Sequence, residues 1–285
     1  MAVTHNASAK DGISFPASLG EFFSTWEKYP GALIYAGGTA IAGVRANPVL
    51  DLPENIICLG RLKNLHHITR TERYLEIGSM VKLNQIIRLG KTVPAVFTRC
   101  LENIGTMQLR NLATIGGNIC FDSKRRDTAS VLTALDAQFE LRTAGSSRWI
   151  LASRFFSSPS VGQELLTRIR VPLESWDYSA YRKFSCQEEY TRAFVFTIKT
   201  EKNILSDIRV VWKSDVVLRD KNIEKILAGQ KLPLNKKIAG DFLESWEKLL
   251  NGSAQGLPDK ALDEQALSKR EFANCLALNI RDLCE

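Results

Sequence analysis

The sequence lacks the closely spaced side chains that usually hold a metal ion. None of its six cysteines belongs to a CxxC pair, and none has a histidine at metal-ligand spacing. An iron–sulfur cluster bound by this chain alone would need four cysteinates, at least some of them close together. We therefore expect no metal site on this chain and read the cysteines as thiols in a reducing compartment. They are Cys58, Cys100, Cys120, Cys186, Cys275 and Cys284.

Long apolar runs and dense basic clusters are also missing. No apolar run approaches the roughly 18 residues that a membrane-spanning helix needs. The polar start, residues 1–10, has no apolar core of a signal peptide, so the expected location is cytoplasmic and no membrane contact is expected. The formal charge of +7 is scattered, and acids interrupt the densest basic run at 123–127. No nucleic-acid partner is expected.

Several common phosphate-binding and catalytic motifs are absent. The chain has no GxGxxG, which excludes the usual dinucleotide fingerprint. Gly38 and Gly43 have the spacing of a P-loop, but Val44 and Arg45 stand where lysine and serine or threonine belong. GxSxG and HExxH are missing as well, so the sequence offers no hydrolytic site.

Two glycine pairs are present, each following an apolar segment that we interpret as a strand. They occur in "LIYAGGT" (33–39) and in "TIGGN" (114–118). Adjacent glycines adopt positive φ without penalty, so successive backbone N–H groups can converge on an anion, and a threonine adds a hydroxyl donor. A single glycine pair is more often an ordinary tight turn. Two pairs about 80 residues apart match the two phosphates of a diphosphate.

The hydrophobic pattern predicts an α+β chain that restarts near residues 173–178. An amphipathic helix over 16–30 ends at Pro30, and alternating residues predict a strand over 164–172. After the restart, strands come first and helices follow. The helices are predicted at about 221–229, 235–250 and 268–283.

Several segments carry a resemblance to a known family. "AGGT", "LEIGSMVKLNQI" and "MQLRNLATIGGNI" occur in that order, followed by "VLTALDAQFEL", "ELLTRIRVP" and "SAYRKFS". In this order they resemble the FAD-binding (medium) subunit of molybdenum hydroxylases of the xanthine dehydrogenase, aldehyde oxidoreductase and carbon monoxide dehydrogenase type. The resemblance implies a PCMH-type FAD-binding domain over 14–173, with two subdomains that meet near 68–72. A frayed segment, 1–13, would precede it, and a smaller α+β domain with a short antiparallel sheet and helices would follow over 174–285.

The resemblance also implies the residues that hold FAD. Asp127 would hydrogen-bond the sugar or ribityl part, Leu165 or Leu166 would lie against the flavin ring, and Tyr181 would lie near it. Either Arg182 or Lys183 would place a cation that favours the reduced, anionic flavin. The two glycine loops would hold the pyrophosphate through Ile34, Tyr35, Ala36, Gly37, Gly38, Thr39 and Ala40, and through Thr114, Ile115, Gly116, Gly117 and Asn118.

The function implied is that of an oxidoreductase subunit that transfers electrons. FAD on this chain would receive electrons from [2Fe–2S] clusters on a partner subunit and pass them to NAD or another acceptor. A further partner would carry molybdopterin. A stand-alone FAD oxidoreductase is one alternative. A flavin-free assembly subunit is another, because Ala40 replaces the family's usual aspartate and 124–126 replaces its usual Ser-Pro.

Overall fold

The computed structural model describes residues 12–42, 52–121, 126–157, 163–186, 190–252 and 259–285. These residues form sheets of three, five and four strands, with helices between and around them. Most of the segment predicted to be frayed, residues 1–11, lies outside the described residues. The last residue of the predicted segment 1–13, Ile13, belongs to a strand and pairs with Ile56.

The first sheet is small and parallel, and its middle strand comes last along the chain. We call this sheet and its helices the first unit. Its elements are β1 (Ile13–Ser14), α1 (Leu19–Lys28), β2 (Leu33–Tyr35), α2 (Thr39–Ala42) and β3 (Ile56–Cys58), and the strand order is β1-β3-β2. Helix α1 begins after Ser18, whose hydroxyl accepts a hydrogen bond from the Glu21 N–H at 3.2 Å. Phe22 and Phe23 on α1 are buried, and the helix ends before Pro30, as predicted.

The second sheet has five antiparallel strands in the order β4-β5-β8-β6-β7. Its strands are β4 (Ile68–Arg70), β5 (Tyr74–Gly78), β6 (Gln138–Arg142), β7 (Ser147–Leu151) and β8 (Leu165–Pro172). This sheet and its helices form the second unit. The helices are α3 (Leu83–Ile87), α4 (Ala95–Glu102), α5 (Met107–Leu112), α6 (Ile115–Cys120), α7 (Ala129–Ala134) and α8 (Ala152–Ser157). Ile77, Ile169 and Phe139 lie side by side on the buried face, which explains the period-two pattern of β8.

The third sheet is antiparallel and is buried on both faces. Its strands are β9 (Tyr178–Cys186), β10 (Tyr190–Glu201), β11 (Ile204–Lys213) and β12 (Val217–Leu218), and the helices that follow are α9 (Lys221–Leu227), α10 (Lys236–Gly252) and α11 (Asp259–Asp282). Phe194 and Trp212 face these helices. Val195 and Val211 on the opposite face join the core beneath the five-stranded sheet. The continuous apolar run of β10 follows from this double burial.

Charged side chains also join the third sheet to the second unit. Arg219 donates to the Asp136 carboxylate at 2.8 Å and to the Glu224 carboxylate at 2.9 Å. Arg209 lies 3.2 Å from the other Asp136 oxygen. Because the arginine side chains are almost fully buried, these contacts fix how the two units sit together. The architecture is α+β, as predicted.

Candidate functional site

The first glycine pair forms an open loop between β2 and α2. Gly38 has φ of +70°, a left-handed conformation that favours glycine. A Cβ on Gly37 would overlap the Leu112 carbonyl oxygen. Within the described part of the chain, the N–H groups of Gly37, Gly38 and Thr39 donate no hydrogen bond. This loop therefore offers backbone donors to an anion.

The second glycine pair is built differently, and part of the expectation for it is wrong. The apolar segment before it is helix α5 rather than a strand, and the glycines lie in the first turn of α6. The amides of this turn are used within the protein: Ile115 N–H donates to Val81 O (3.0 Å), Gly116 N–H to Ser79 O (2.9 Å), Gly117 N–H to Thr114 Oγ1 (3.1 Å) and Asn118 N–H to Thr114 O (3.0 Å). These amides therefore do not converge on an anion.

The glycines of the second pair have separate structural roles. A Cβ on Gly116 would overlap Ser79, so this glycine allows α6 to lie close against the residue that follows β5. Gly117 is exposed, and a Cβ there would approach only the Thr114 hydroxyl, at 2.9 Å. The second loop therefore presents an open surface without a side chain at Gly117.

The first loop lies against the residues that precede the second loop. Gly37 of the first loop packs against the backbone of Leu112 and Ala113, which immediately precede the second loop. Ile34 and Ala36 contact the core of the first unit, whereas Tyr35 is exposed and its hydroxyl lies over Gly38. The other members of the first loop are half-buried: Gly37, Gly38, Thr39 and Ala40.

Asp127 lies in a polar network that reaches the second loop. Its carboxylate is buried and lies 2.7 Å from the Lys183 ammonium. The next residue, Thr128, donates from its N–H and its hydroxyl to the Asn118 side-chain oxygen, at 3.2 and 2.7 Å. Lys183 also donates to the Asn103 carbonyl at 3.0 Å. Asn118, Asp127 and Lys183 therefore meet where helices α4 and α7 of the second unit pack against the third sheet.

The register of β9 distinguishes Arg182 from Lys183. Successive side chains on a strand point to opposite faces. Tyr181 packs against the core beneath the five-stranded sheet, and Lys183 on the same face pairs with Asp127. Arg182 is exposed on the other face, the one on which Phe184 contacts the core of the C-terminal helices. Lys183 is thus the cation beside Asp127.

Two groups beside Asp127 hold their protons tightly. Burial raises the pKa of the Cys100 thiol to about 12, and the Asp127 carboxylate adds to the rise. Burial likewise raises the pKa of the Tyr181 hydroxyl far above its ordinary range. Cys100 is therefore a thiol and Tyr181 a neutral phenol at neutral pH, and neither is activated as a nucleophile.

The resemblance leaves open whether Leu165 or Leu166 lies against the flavin ring, and both are buried in β8. Leu165 packs in the core of the first unit, and Leu166 packs in the core beneath the five-stranded sheet. They mark the place where these two cores meet. Of the basic residues 124–126, which replace the family's usual Ser-Pro, Lys124 and Arg125 lie outside the described residues. Arg126 lies over the Phe155 and Phe156 rings, at 6.0 and 5.7 Å from their centroids.

Two lysines that no sequence motif singled out lie close to the candidate site: Lys82 beside the glycine loops and Lys213 on the same face of the third sheet as Lys183. Lys82 donates to the Leu112 carbonyl at 2.9 Å. The fully buried Lys213 donates to the Thr191 carbonyl at 2.6 Å. Lys213 could have been suspected, because it closes the apolar strand segment "IRVVWK". Nothing in the local sequence pattern distinguishes Lys82 from a surface lysine.

Comparison with known proteins decides the family. A sequence model of the family described as "FAD binding domain in molybdopterin dehydrogenase" matches residues 8–174, more than half of the chain. The chain belongs to this family. The glyceraldehyde dehydrogenase medium chain of Sulfolobus acidocaldarius is 30% identical over 207 residues, a match that covers 69% of this chain and 73% of that one.

Two solved structures share the fold of this family member. Carbon monoxide dehydrogenase from Hydrogenophaga pseudoflava superposes with a TM-score of 0.75 at 20% identity, over 93% of this chain and 96% of that chain. Quinoline 2-oxidoreductase from Pseudomonas putida 86 gives 0.74 at 16% identity, over 97% and 99%. The predicted family, FAD as its cofactor and the oxidoreductase class are confirmed. Among the helices described here, none is long and apolar enough to cross a membrane.

Proposed function

We propose that this chain is the FAD-carrying electron-transfer subunit of a multi-subunit molybdenum hydroxylase. It would receive electrons from [2Fe–2S] clusters on one partner subunit, while another partner holds molybdopterin, and it would pass them to NAD or another acceptor. The observation that carries the proposal is the first glycine loop. Its three backbone donors lie beside the second loop, in a chain of the FAD-binding family.

The residues present fit the cofactor. The N–H groups of Gly37, Gly38 and Thr39 would bind the oxygens of a diphosphate, and the missing side chain at Gly117 would leave room for it. In the polar network, Asp127 would accept a hydrogen bond from a sugar or ribityl hydroxyl. Lys183 would supply the positive charge that favours a reduced, anionic flavin.

The chemistry divides between cofactor and protein. When bound, FAD supplies the two-electron redox chemistry. The chain holds the cofactor and tunes its surroundings: the Asp127–Lys183 ion pair joins the segment before α7 to β9, so it would hold the carboxylate and the ammonium at fixed positions beside the cofactor. Because Cys100 and Tyr181 stay protonated beside this pair, they add no further negative charge there.

The test is FAD affinity in loop variants of the full chain. Gly117→Val places bulk on the exposed side of the second loop without meeting protein backbone, and Thr39→Val removes a hydroxyl while keeping the side-chain shape. We expect the wild-type chain to bind FAD and Gly117→Val to bind at least about tenfold more weakly, a loss of about 1.4 kcal/mol. A smaller loss is expected for Thr39→Val.

The matched control is Gly60→Val, because a Cβ at Gly60 meets no atom within 4 Å. This variant should bind FAD like the wild type. Circular dichroism shows which variants are folded. Wild-type affinity in a folded Gly117→Val variant would refute the placement of the cofactor. A folded wild-type chain that takes up no FAD would favour the flavin-free assembly subunit.

A further inference from the structure

Lys82 connects the two glycine loops. Its backbone forms an antiparallel bridge with Thr114, the first residue of the second loop. Its ammonium donates to the Leu112 carbonyl oxygen at 2.9 Å. The same carbonyl oxygen lies directly against Gly37 of the first loop. The Lys82 ammonium and Gly37 therefore contact the same oxygen atom.

The ammonium has capacity for a second partner. A lysine ammonium carries three N–H donors, and the described residues supply it with one acceptor, the Leu112 carbonyl. Lys82 is half-buried, and this burial lowers its pKa from the ordinary value. A partly desolvated cation gains more from an anionic partner than an exposed one does, because water screens it less.

We propose that Lys82 binds the diphosphate of FAD and supplies the positive charge that the first glycine loop lacks. The inference rests on the proposed function and adds a binding residue to it. The loop amides provide only partial charges, whereas a diphosphate carries full negative charges, so a lysine beside Gly37 complements them. The ammonium keeps its bond to Leu112 and directs its remaining donors towards the phosphate oxygens.

A purely structural role for Lys82 makes a different prediction. The ammonium caps a carbonyl at the end of α5, and a lysine at a helix C-terminus stabilises the helix. If that were its whole role, Lys82→Met would lower the stability of the FAD-free chain. It would then weaken ligands with and without phosphate to a similar degree.

The experiment measures dissociation constants of FAD, ADP and riboflavin for the full wild-type chain, Lys82→Met and Lys82→Arg. We expect Lys82→Met to bind FAD and ADP about 10- to 100-fold more weakly, the range for one charge-assisted hydrogen bond. Riboflavin, which has no phosphate, should bind with unchanged affinity. Lys82→Arg should retain most of the FAD affinity, and the salt dependence of FAD binding should flatten in Lys82→Met.

The control is Lys91→Met, which removes an exposed lysine from the same unit. It should leave all three affinities unchanged. Wild-type FAD affinity in a folded Lys82→Met variant overturns the inference, and so does an equal loss for FAD and riboflavin. A folded wild-type chain that binds neither FAD nor ADP overturns the proposed function itself, and the inference with it.

Discussion

Lys213 makes the stability of this protein depend on pH in the alkaline range. The side chain is fully buried on the face of β11 that points towards Asp127 and Lys183, in one row with Ala193 and Lys183 across the sheet. Burial lowers the pKa of Lys213 from 10.5 to about 8. The carboxylates of Asp127 and Asp215 oppose this shift, and the cations of Lys183 and Arg126 add to it.

The size of the effect follows from the shift. Each pKa unit is worth about 1.4 kcal/mol, so the charged form of Lys213 costs the folded state about 3 kcal/mol relative to the unfolded chain. Below pH 8 both states hold the proton and this cost is present in full. Between pH 8 and 10.5 the folded state releases the proton while the unfolded chain keeps it. The unfolded state then binds more protons, so the contribution of Lys213 to the free energy of unfolding rises with pH.

The assay is urea unfolding of the wild type and Lys213→Met at intervals from pH 7 to 10.5. We expect the free energy of unfolding of the wild type, relative to the variant, to rise by about 3 kcal/mol over this range. Lys199→Met is the control, because the Lys199 side chain is 42% exposed on the same sheet. Because this variant keeps Lys213, the free energy of unfolding of the wild type relative to Lys199→Met should stay constant over this pH range. Parallel pH profiles for the wild type and Lys213→Met would refute the reasoning.

Two further predictions concern stability. Arg219→Met leaves the buried Glu224 carboxylate without its guanidinium partner, and we expect a loss of about 3–5 kcal/mol in the free energy of unfolding. A loss below about 1 kcal/mol would contradict the buried pairing of Arg219 with Glu224. Gly116→Ala should cost about 1–3 kcal/mol, because its Cβ would overlap Ser79. Gly117→Ala, which meets only a side-chain hydroxyl, should change stability by less than about 1 kcal/mol, and equal losses in the two alanine variants would be inconsistent with the structure.

Local patterns predicted the elements whose causes are local. Helix α1 has a serine cap, a buried aromatic pair and a proline beyond its end, all readable in order. The strand over 164–172 follows from alternation, because one of its faces is buried and the other carries arginines that pair with Glu76 and Glu140. The first glycine loop was also predictable, since a strand, two glycines and a threonine follow each other in the sequence.

The second loop could not be predicted in detail, because its structure depends on distant residues. The amides of Ile115 and Gly116 donate to Val81 and Ser79, more than thirty residues earlier in the chain. The same holds for the lysines. Only the register of β9 shows that Lys183, and not Arg182, pairs with Asp127. Lys82 became a candidate binding residue only because the fold places it beside Leu112 and Gly37.

The most direct test of the central claim is to purify this chain, through an affinity tag, from the cells that make it naturally. The visible spectrum and the iron and molybdenum content of the purified material are then measured. We expect a flavin band near about 450 nm, with iron and molybdenum eluting together with the chain on size-exclusion chromatography. A folded chain that elutes alone and without flavin would contradict it. A chain that elutes alone, carries FAD and turns over a substrate would establish a stand-alone oxidoreductase instead.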